Sequence, residues 1–274
     1  MIGWPLAGDF DLFDHDHLKG GEIDVMNQLA PSVSLRDVVK GFDGDVDVVD
    51  HLDLEIPAGR FVVLLGPTGC GKTTVLRMVG GLEHPDEGEI VFSQDAPQTS
   101  FCFQEPRLLP WRTVEQNVVL PLELAKQKEA VRPVREVLEM VGLADAAQRM
   151  PAALSGGMKM RTSLARALVA DPKLLLMDEP FGALDEVTRF RLDEDVARLM
   201  RDRETTVMMV THSIQEAVFL ADEVIVLSSR PARIVERFQI EFGERLPEMR
   251  ATPEFAAMTS EIYQSLLAGM EMRS

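Results

Sequence analysis

Residues Gly66-Pro67-Thr68-Gly69-Cys70-Gly71-Lys72-Thr73 carry the spacing G-x-x-x-x-G-K-[ST]. Glycines in such a loop let successive backbone N–H groups turn inward around an anion. A helix opening at the end of the loop adds the positive end of its dipole. Lys72 is then placed to reach the β- and γ-phosphates of a nucleotide and the Thr73 hydroxyl to ligate Mg²⁺, with Thr74 a candidate for an α-phosphate contact. The flanking sequence supports the reading. Phe61–Leu65 is a short continuous apolar run suited to a strand buried on both faces, and Thr73–Val79 begins a helix. Cys70, inside the loop, is expected to be inert rather than redox-active.

A second chemical centre follows at Leu174-Leu175-Leu176-Met177-Asp178-Glu179-Pro180, an apolar strand that ends in two carboxylates. Ligands of open α/β sheets sit beyond the carboxyl ends of the strands, so Asp178 is expected to face the phosphate loop. The two acids can divide the work. Asp178 would hold Mg²⁺ through water, and Glu179 would orient and deprotonate an attacking water.

The elements that must position these groups are legible in the hydrophobic pattern. Val33–Val38 and Val48–Ile56 alternate like edge strands, with turn chemistry at Asp43-Gly44-Asp45 between them. Strand character returns at Leu174–Met177, Thr206–Val210 and Glu223–Leu227, separated by helical stretches, which is the pattern of a parallel sheet covered by helices. Residues 105–160 lack strand signals and hold helical segments at Val114–Leu124 and Pro133–Val141, the latter with Gly142 suited to end it. A short strand near Arg233–Ile240 and a helix over Pro253–Met270 are expected near the C-terminus. The fold class is α/β: a P-loop NTPase core with a mixed sheet, antiparallel edge strands and an inserted helical subdomain at about 105–160. The expected divisions are an acidic extension at 1–30, which Phe10, Leu12 and Phe13 can anchor, the ATPase domain at 31–230 and a tail at 231–274.

Composition narrows the function. The chain has 274 residues, and 28 basic against 45 acidic side chains give a formal charge of 28 − 45 = −17. That balance argues against a nucleic-acid partner and against direct adhesion to anionic lipid. No uncharged apolar run approaches the roughly 18–20 residues of a membrane-spanning helix. The acidic N-terminus does not read as a signal peptide. Cys70 and Cys102 are too few for a disulfide framework, so a cytoplasmic location is expected, with any membrane association made through a protein partner.

Between the two chemical centres stands Leu154-Ser155-Gly156-Gly157-Met158-Lys159-Met160-Arg161. Here the chain resembles the ATP-binding subunit of ABC transporters over roughly residues 33–230. The resemblance places Gln104 as the glutamine-loop residue, a third contact to Mg²⁺ and a sensor of the γ-phosphate. It places Gly182-Ala183-Leu184-Asp185 as the D-loop, His212 as the switch histidine and Phe42 at the position that stacks on adenine. Core packing is the other reading of Phe42. Ser155 suits an N-cap, and the glycines after it leave N–H groups exposed as a second anion site. The resemblance implies a head-to-tail dimer, of two copies of this chain or of paired ATPase subunits. In it Ser155, Gly156 and Gly157 of one subunit close over ATP held by the other. Met158 stands where the family usually has glutamine and Met160 where glutamine or glutamate is frequent, and a methionine cannot donate an amide's hydrogen bonds.

Leu108, Leu109 and Trp111, just after Gln104, form an apolar cluster of the kind that anchors a partner helix. The resemblance makes that partner a transmembrane permease, with a solute-binding protein engaged indirectly and the chain held on the inner face of the membrane. Packing of Trp111 inside the helical subdomain is the alternative. The Leu-Leu-Pro-Trp run, Thr113-Val114, Asn117-Val118 and Ser228–Val235 are similar to the nitrate, sulfonate and taurine branch of importers. A non-hydrolysing regulatory partner and a soluble ATP-switched interaction module are the competing functions.

Overall fold

The computed structural model describes residues 30–42, 47–95, 97–125, 133–182, 184–200 and 205–271. The acidic extension up to residue 29, the Asp43-Gly44-Asp45 turn and Ala183 lie outside these residues.

In chain order the strands are β1 (Val33–Lys40), β2 (Val49–Ile56), β3 (Phe61–Leu65), β4 (Glu87–Phe92), β5 (Thr99–Cys102), β6 (Leu174–Asp178), β7 (Thr206–Thr211), β8 (Glu223–Leu227) and β9 (Ile234–Gln239). The helices are α1 (Lys72–Val79), α2 (Val114–Leu124), α3 (Val134–Met140), α4 (Gly156–Leu168), α5 (Glu186–Met200), α6 (Ile214–Leu220) and α7 (Pro253–Glu271). Strands β2-β1-β4 form one antiparallel sheet. The other has the order β5-β6-β7-β3-β8-β9, parallel throughout except for β9, which runs antiparallel to β8. The mixed α/β architecture is therefore the one expected.

The larger sheet is buried on both faces because its strands alternate between two apolar layers. Val62, Leu64, Leu174, Leu176, Met208, Val210, Ile225 and Leu227 face the antiparallel sheet and α1. Val63, Leu65, Leu175, Met177, Val207, Met209, Val224 and Val226 face the helical layer. Successive strand side chains point to opposite faces, so an all-apolar strand serves both layers at once.

The helical insertion is held at its ends by local chemistry. Thr113 caps α2 in a capping box with Gln116. Gly142, at φ +68°, ends the α3 segment. Leu143 N–H donates to the Leu138 carbonyl at 2.8 Å and Gly142 N–H to that of Glu139 at 3.0 Å, a Schellman closure.

Two features depart from the sequence reading. Strands β4 and β5 gave no signal. Strand β4 is a half-exposed edge strand, Glu-Gly-Glu-Ile-Val-Phe, and β5 has four residues at the opposite edge of the larger sheet. Neither presents the apolar run that marks a central strand. The boundary at residue 230 also moves. Strand β9 completes the larger sheet, and α7 packs on α6, β8 and β9 with Phe255 and Ile262 in the core. The segment read as a tail is part of the packed fold, since its apolar residues cover the β8 edge. Among the described residues no helix is long and apolar enough to cross a membrane.

Ile262 is fully buried between α7 and the helical layer. Ile262→Ala should cost about 3 kcal/mol in a urea titration. A cost near zero would show that α7 contributes nothing to the folded state.

Candidate active site

Strand register assembles the site. Leu65 lies opposite Thr211 and Asp178 opposite Val210. Three chain segments therefore leave the sheet side by side at its carboxyl edge: the phosphate loop, Glu179 and the His212 turn.

The loop from Gly66 to Gly71 wraps the start of α1. Gly69 and Gly71 adopt φ +80° and +116°, conformations that residues with a Cβ rarely enter. At Gly71 a Cβ would also meet the Val48 carbonyl oxygen at 2.8 Å. Cys70 N–H bonds to the Pro67 carbonyl at 3.3 Å, and the Cys70 side chain turns into the core, where burial raises its thiol pKa. The inert reading of Cys70 agrees with that burial. Lys72, only 4% exposed, donates to the Gly66 and Pro67 carbonyls at 2.8 and 2.9 Å and lies 3.9 Å from Glu179. A cleft of 320 Å³ runs along this loop, lined by Val48, Thr68, Gly69, Gly71, Lys72, Thr73, Thr74, Gln104 and Glu179.

The Thr73 hydroxyl donates to Asp178 at 2.8 Å. Burial pushes the Asp178 carboxyl above its usual range, and the Thr73 hydrogen bond pulls it back. Thr73 and Gln104 line the cleft and Asp178 is hydrogen-bonded to Thr73, and their side chains carry hard oxygen donors of the kind that fits Mg²⁺. Glu179 adopts φ +41°, a strained setting for a residue with a side chain, held by its N–H to the Val210 carbonyl at 2.9 Å. Its carboxylate lies 3.0 Å from His212 Nδ1. A carboxylate at the cleft wall, paired with an imidazole, is the arrangement that can take a proton from a water and keep the water aligned.

The remaining candidates lie outside this cleft. Ser155 caps α4 by accepting the Met158 N–H at 3.3 Å, leaving exposed Gly156 and half-buried Gly157 in its first turn. Met158 packs against the core and Met160 is buried beside Cys102, so neither alters the cap. Asp185 accepts the Thr188 N–H at 3.0 Å, which lowers its carboxyl pKa and opens α5. Phe42 is 46% exposed with Lys40 Nζ 5.3 Å from its ring centre, so it is not packed in the core.

Downstream of Gln104 the chain is pinned by two residues that sequence reasoning missed. Arg166 donates to the Pro106 and Arg107 carbonyls at 2.6 and 3.0 Å. Asn117, fully buried, accepts the Leu109 N–H at 2.7 Å and donates to the Leu109, Arg112 and Thr113 carbonyls. An asparagine within an amphipathic helix was the available signal. Leu108 packs against the core and Leu109 is half-buried, whereas Trp111 is 70% exposed. Trp111 therefore does not pack inside the helical subdomain.

A larger concavity of 660 Å³, lined by Arg60, Phe61, Thr205, Phe242 and Arg245, lies at the opposite edge of the sheet. Size does not select the site. The convergence of anion-binding loop, carboxylates and histidine is at the carboxyl edge, where α/β sheets bind ligands.

Fold and cleft together define a phosphate-loop ATPase with an inserted helical layer. The sequence profile described as ABC transporter matches residues 49–182. The aliphatic sulfonates import ATP-binding protein SsuB of Rhodopseudomonas palustris (strain BisA53) is 43% identical over 242 residues, 87% of this chain and 84% of the relative. SsuB 2 of Pseudomonas aeruginosa (strain UCBPP-PA14) is 39% identical over 263 residues, 94% and 92% of the two chains. Among solved structures, the dimeric bacterial ABC transporter cassette MJ0796 matches with a TM-score of 0.66 at 30% identity, over 77% of this chain and 100% of that one. Its post-hydrolysis form bound to ADP and Pi matches with a TM-score of 0.66 at 29% identity, with the same coverage. The chain belongs to the ABC transporter family, as an ATP-binding and ATP-hydrolysing subunit.

Gly71→Ala should weaken ATP binding at least tenfold in a fluorescent-nucleotide titration, because the loop must shift away from Val48 to admit the Cβ. Unchanged affinity would mean that the loop geometry is not what binds the nucleotide.

Proposed function

We propose that this subunit hydrolyses ATP to drive uptake of a small sulfonate-type anion, working as a pair of ATPase subunits docked on a membrane permease. The substrate class rests on one observation. Relatives named aliphatic sulfonates import ATP-binding proteins are 37% to 43% identical over most of this chain. Nitrate and taurine belong to the same branch reading. Docking on the permease, which in turn receives solute from a binding protein, keeps the chain peripheral on the inner face of the membrane.

The residues divide the chemistry as follows. The backbone of Gly66–Gly71 and the start of α1 cradle the β-phosphate, with Thr74 toward the α-phosphate. Lys72 exchanges its two loop carbonyls for phosphate oxygens. Thr73, Asp178 and Gln104 would hold Mg²⁺, which would supply positive charge to offset the charge developing on the phosphates. Glu179 takes the proton of the attacking water, and His212 holds that carboxylate in place and contacts the γ-phosphate. Ser155, Gly156 and Gly157 of the second subunit close the far side of the nucleotide, with Asp185 at the join. Phe42, exposed just after β1, stacks on adenine. Trp111 docks the permease, presented by the loop that Asn117 and Arg166 hold.

The test is transport by the complete assembly, with permease and solute-binding protein in proteoliposomes. ATP-dependent uptake of a labelled alkanesulfonate is expected. Uptake of nitrate alone would overturn the substrate class. Glu179→Gln should keep ATP binding and lose at least a hundredfold of hydrolysis; hydrolysis at the parental rate would remove Glu179 from its role. Trp111→Ala should cut the permease recovered with the subunit at least tenfold, and full recovery would move the docking surface elsewhere.

A further inference from the structure

Behind the His212 turn, a buried charge network fills the contact between α5, α6 and the segment before α7. None of its members lines the nucleotide cleft. Thr211 donates its hydroxyl to Glu216 at 2.6 Å and accepts the Ser213 N–H at 3.0 Å, so the turn is tied on both sides of His212. The Ser213 hydroxyl oxygen accepts the Glu216 N–H at 3.3 Å and caps α6. Glu216 is 2% exposed, and its other carboxylate oxygen lies 3.3 Å from Arg189 Nε. Arg189 also donates to the Leu184 carbonyl at 3.1 Å, one residue before Asp185. A single ion pair thus joins the loop ending at Asp185 to the turn carrying His212.

The helix bearing Arg189 is itself fixed from below. One turn further along α5, fully buried Asp193 accepts from Arg250 at 2.8 Å. The Arg250 guanidinium sits 4.2 Å from the Phe190 ring centre and 3.8 Å from that of Phe219, bridging α5 and α6. Burial pushes the Glu216 carboxyl above its usual range and that of Asp193 to about 8. Buried ion pairs return little net stability, because desolvating the charges offsets their attraction. Hydrogen bonds do impose direction, and two from this network end on loops that border the site: Thr211 to Glu216 at the His212 turn and Arg189 to the Leu184 carbonyl.

We propose that Arg189 and Glu216 are positioning residues for hydrolysis, locking the Leu184–Asp185 loop and the His212 turn into one frame that moves as a unit. The proposal rests on the reading of Glu179 and His212 as the hydrolytic pair. It predicts effects on turnover rather than on nucleotide affinity, since no member of the network touches the phosphate loop.

The test is steady-state hydrolysis and ATP binding by the full-length chain carrying Thr211→Val, Thr211→Ser, Glu216→Gln or Arg189→Met. Thr211→Val keeps size and every charge but loses the hydroxyl. It should lower kcat at least tenfold with ATP affinity within twofold, and Thr211→Ser should restore kcat to within threefold of the parent. Glu216→Gln and Arg189→Met should each lower kcat, and the double variant should fall no further than the weaker single one. A Thr211→Val enzyme whose kcat per folded molecule stays within twofold overturns the proposal, even if its melting temperature drops. So does an affinity loss as large as the rate loss, or multiplicative effects in the double variant. If either charge variant fails to fold, the Thr211 pair decides alone. Glu179→Gln, run beside them, reports on the site reading separately: hydrolysis at the parental rate there strikes that reading whatever Thr211→Val shows.

Discussion

The shared register of β3, β6 and β7 is the constraint on which the rest of this molecule depends. Leu65, Asp178 and Thr211 finish their strands at nearly one level, so the loop, the acid and the histidine that follow them start from neighbouring points. Each strand is apolar on both faces, and its alternate residues belong to two different cores. A slip of one residue would exchange the two sets and move the functional groups by one strand step. Packing thereby enforces the register, and the register enforces the geometry of the cleft.

That rigidity lets the site hold groups in settings they would not choose alone. Glu179 keeps a left-handed backbone, and Asp178 is buried deeply enough for its pKa to rise. Lys72 is nearly inaccessible, its ammonium satisfied by two loop carbonyls. Such costs persist only where surrounding structure determines the conformation many times over. The overall charge of −17 opposes the approach of ATP, so attraction must come from the N–H groups of the loop and the start of α1.

The surface elements proposed to meet partners are built differently. Ser155 and the glycines after it stand at the exposed start of α4, and Trp111 projects from a loop held by Asn117 and Arg166. Both are surface features on a fixed base. The network behind His212 links α5 and α6 to the segment before α7. The chain beyond residue 230 is therefore tied to the centre of the fold by Arg250 as well as by strand β9.

The chemistry was legible from residue order because it resides in local patterns. A phosphate loop needs its glycines and lysine in one short run, and the acidic pair must follow its apolar strand directly. Central strands were visible for the same reason, since burial on both faces leaves an unbroken apolar run. Strands β4 and β5 were not legible: an edge strand is paired by backbone groups and needs few apolar side chains. The tertiary structure alone decided that Trp111 faces outward while Leu108 turns in, that Phe42 lies outside the core, and that the strand expected near residues 233–240 pairs with β8 as the edge of the larger sheet. It alone joined Arg189, the Thr211–Glu216 pair and Arg250, which lie far apart along the chain. Their pairing depends on which faces of α5 and α6 meet, and that is set by helix packing on the sheet, a long-range effect that no short stretch of sequence encodes.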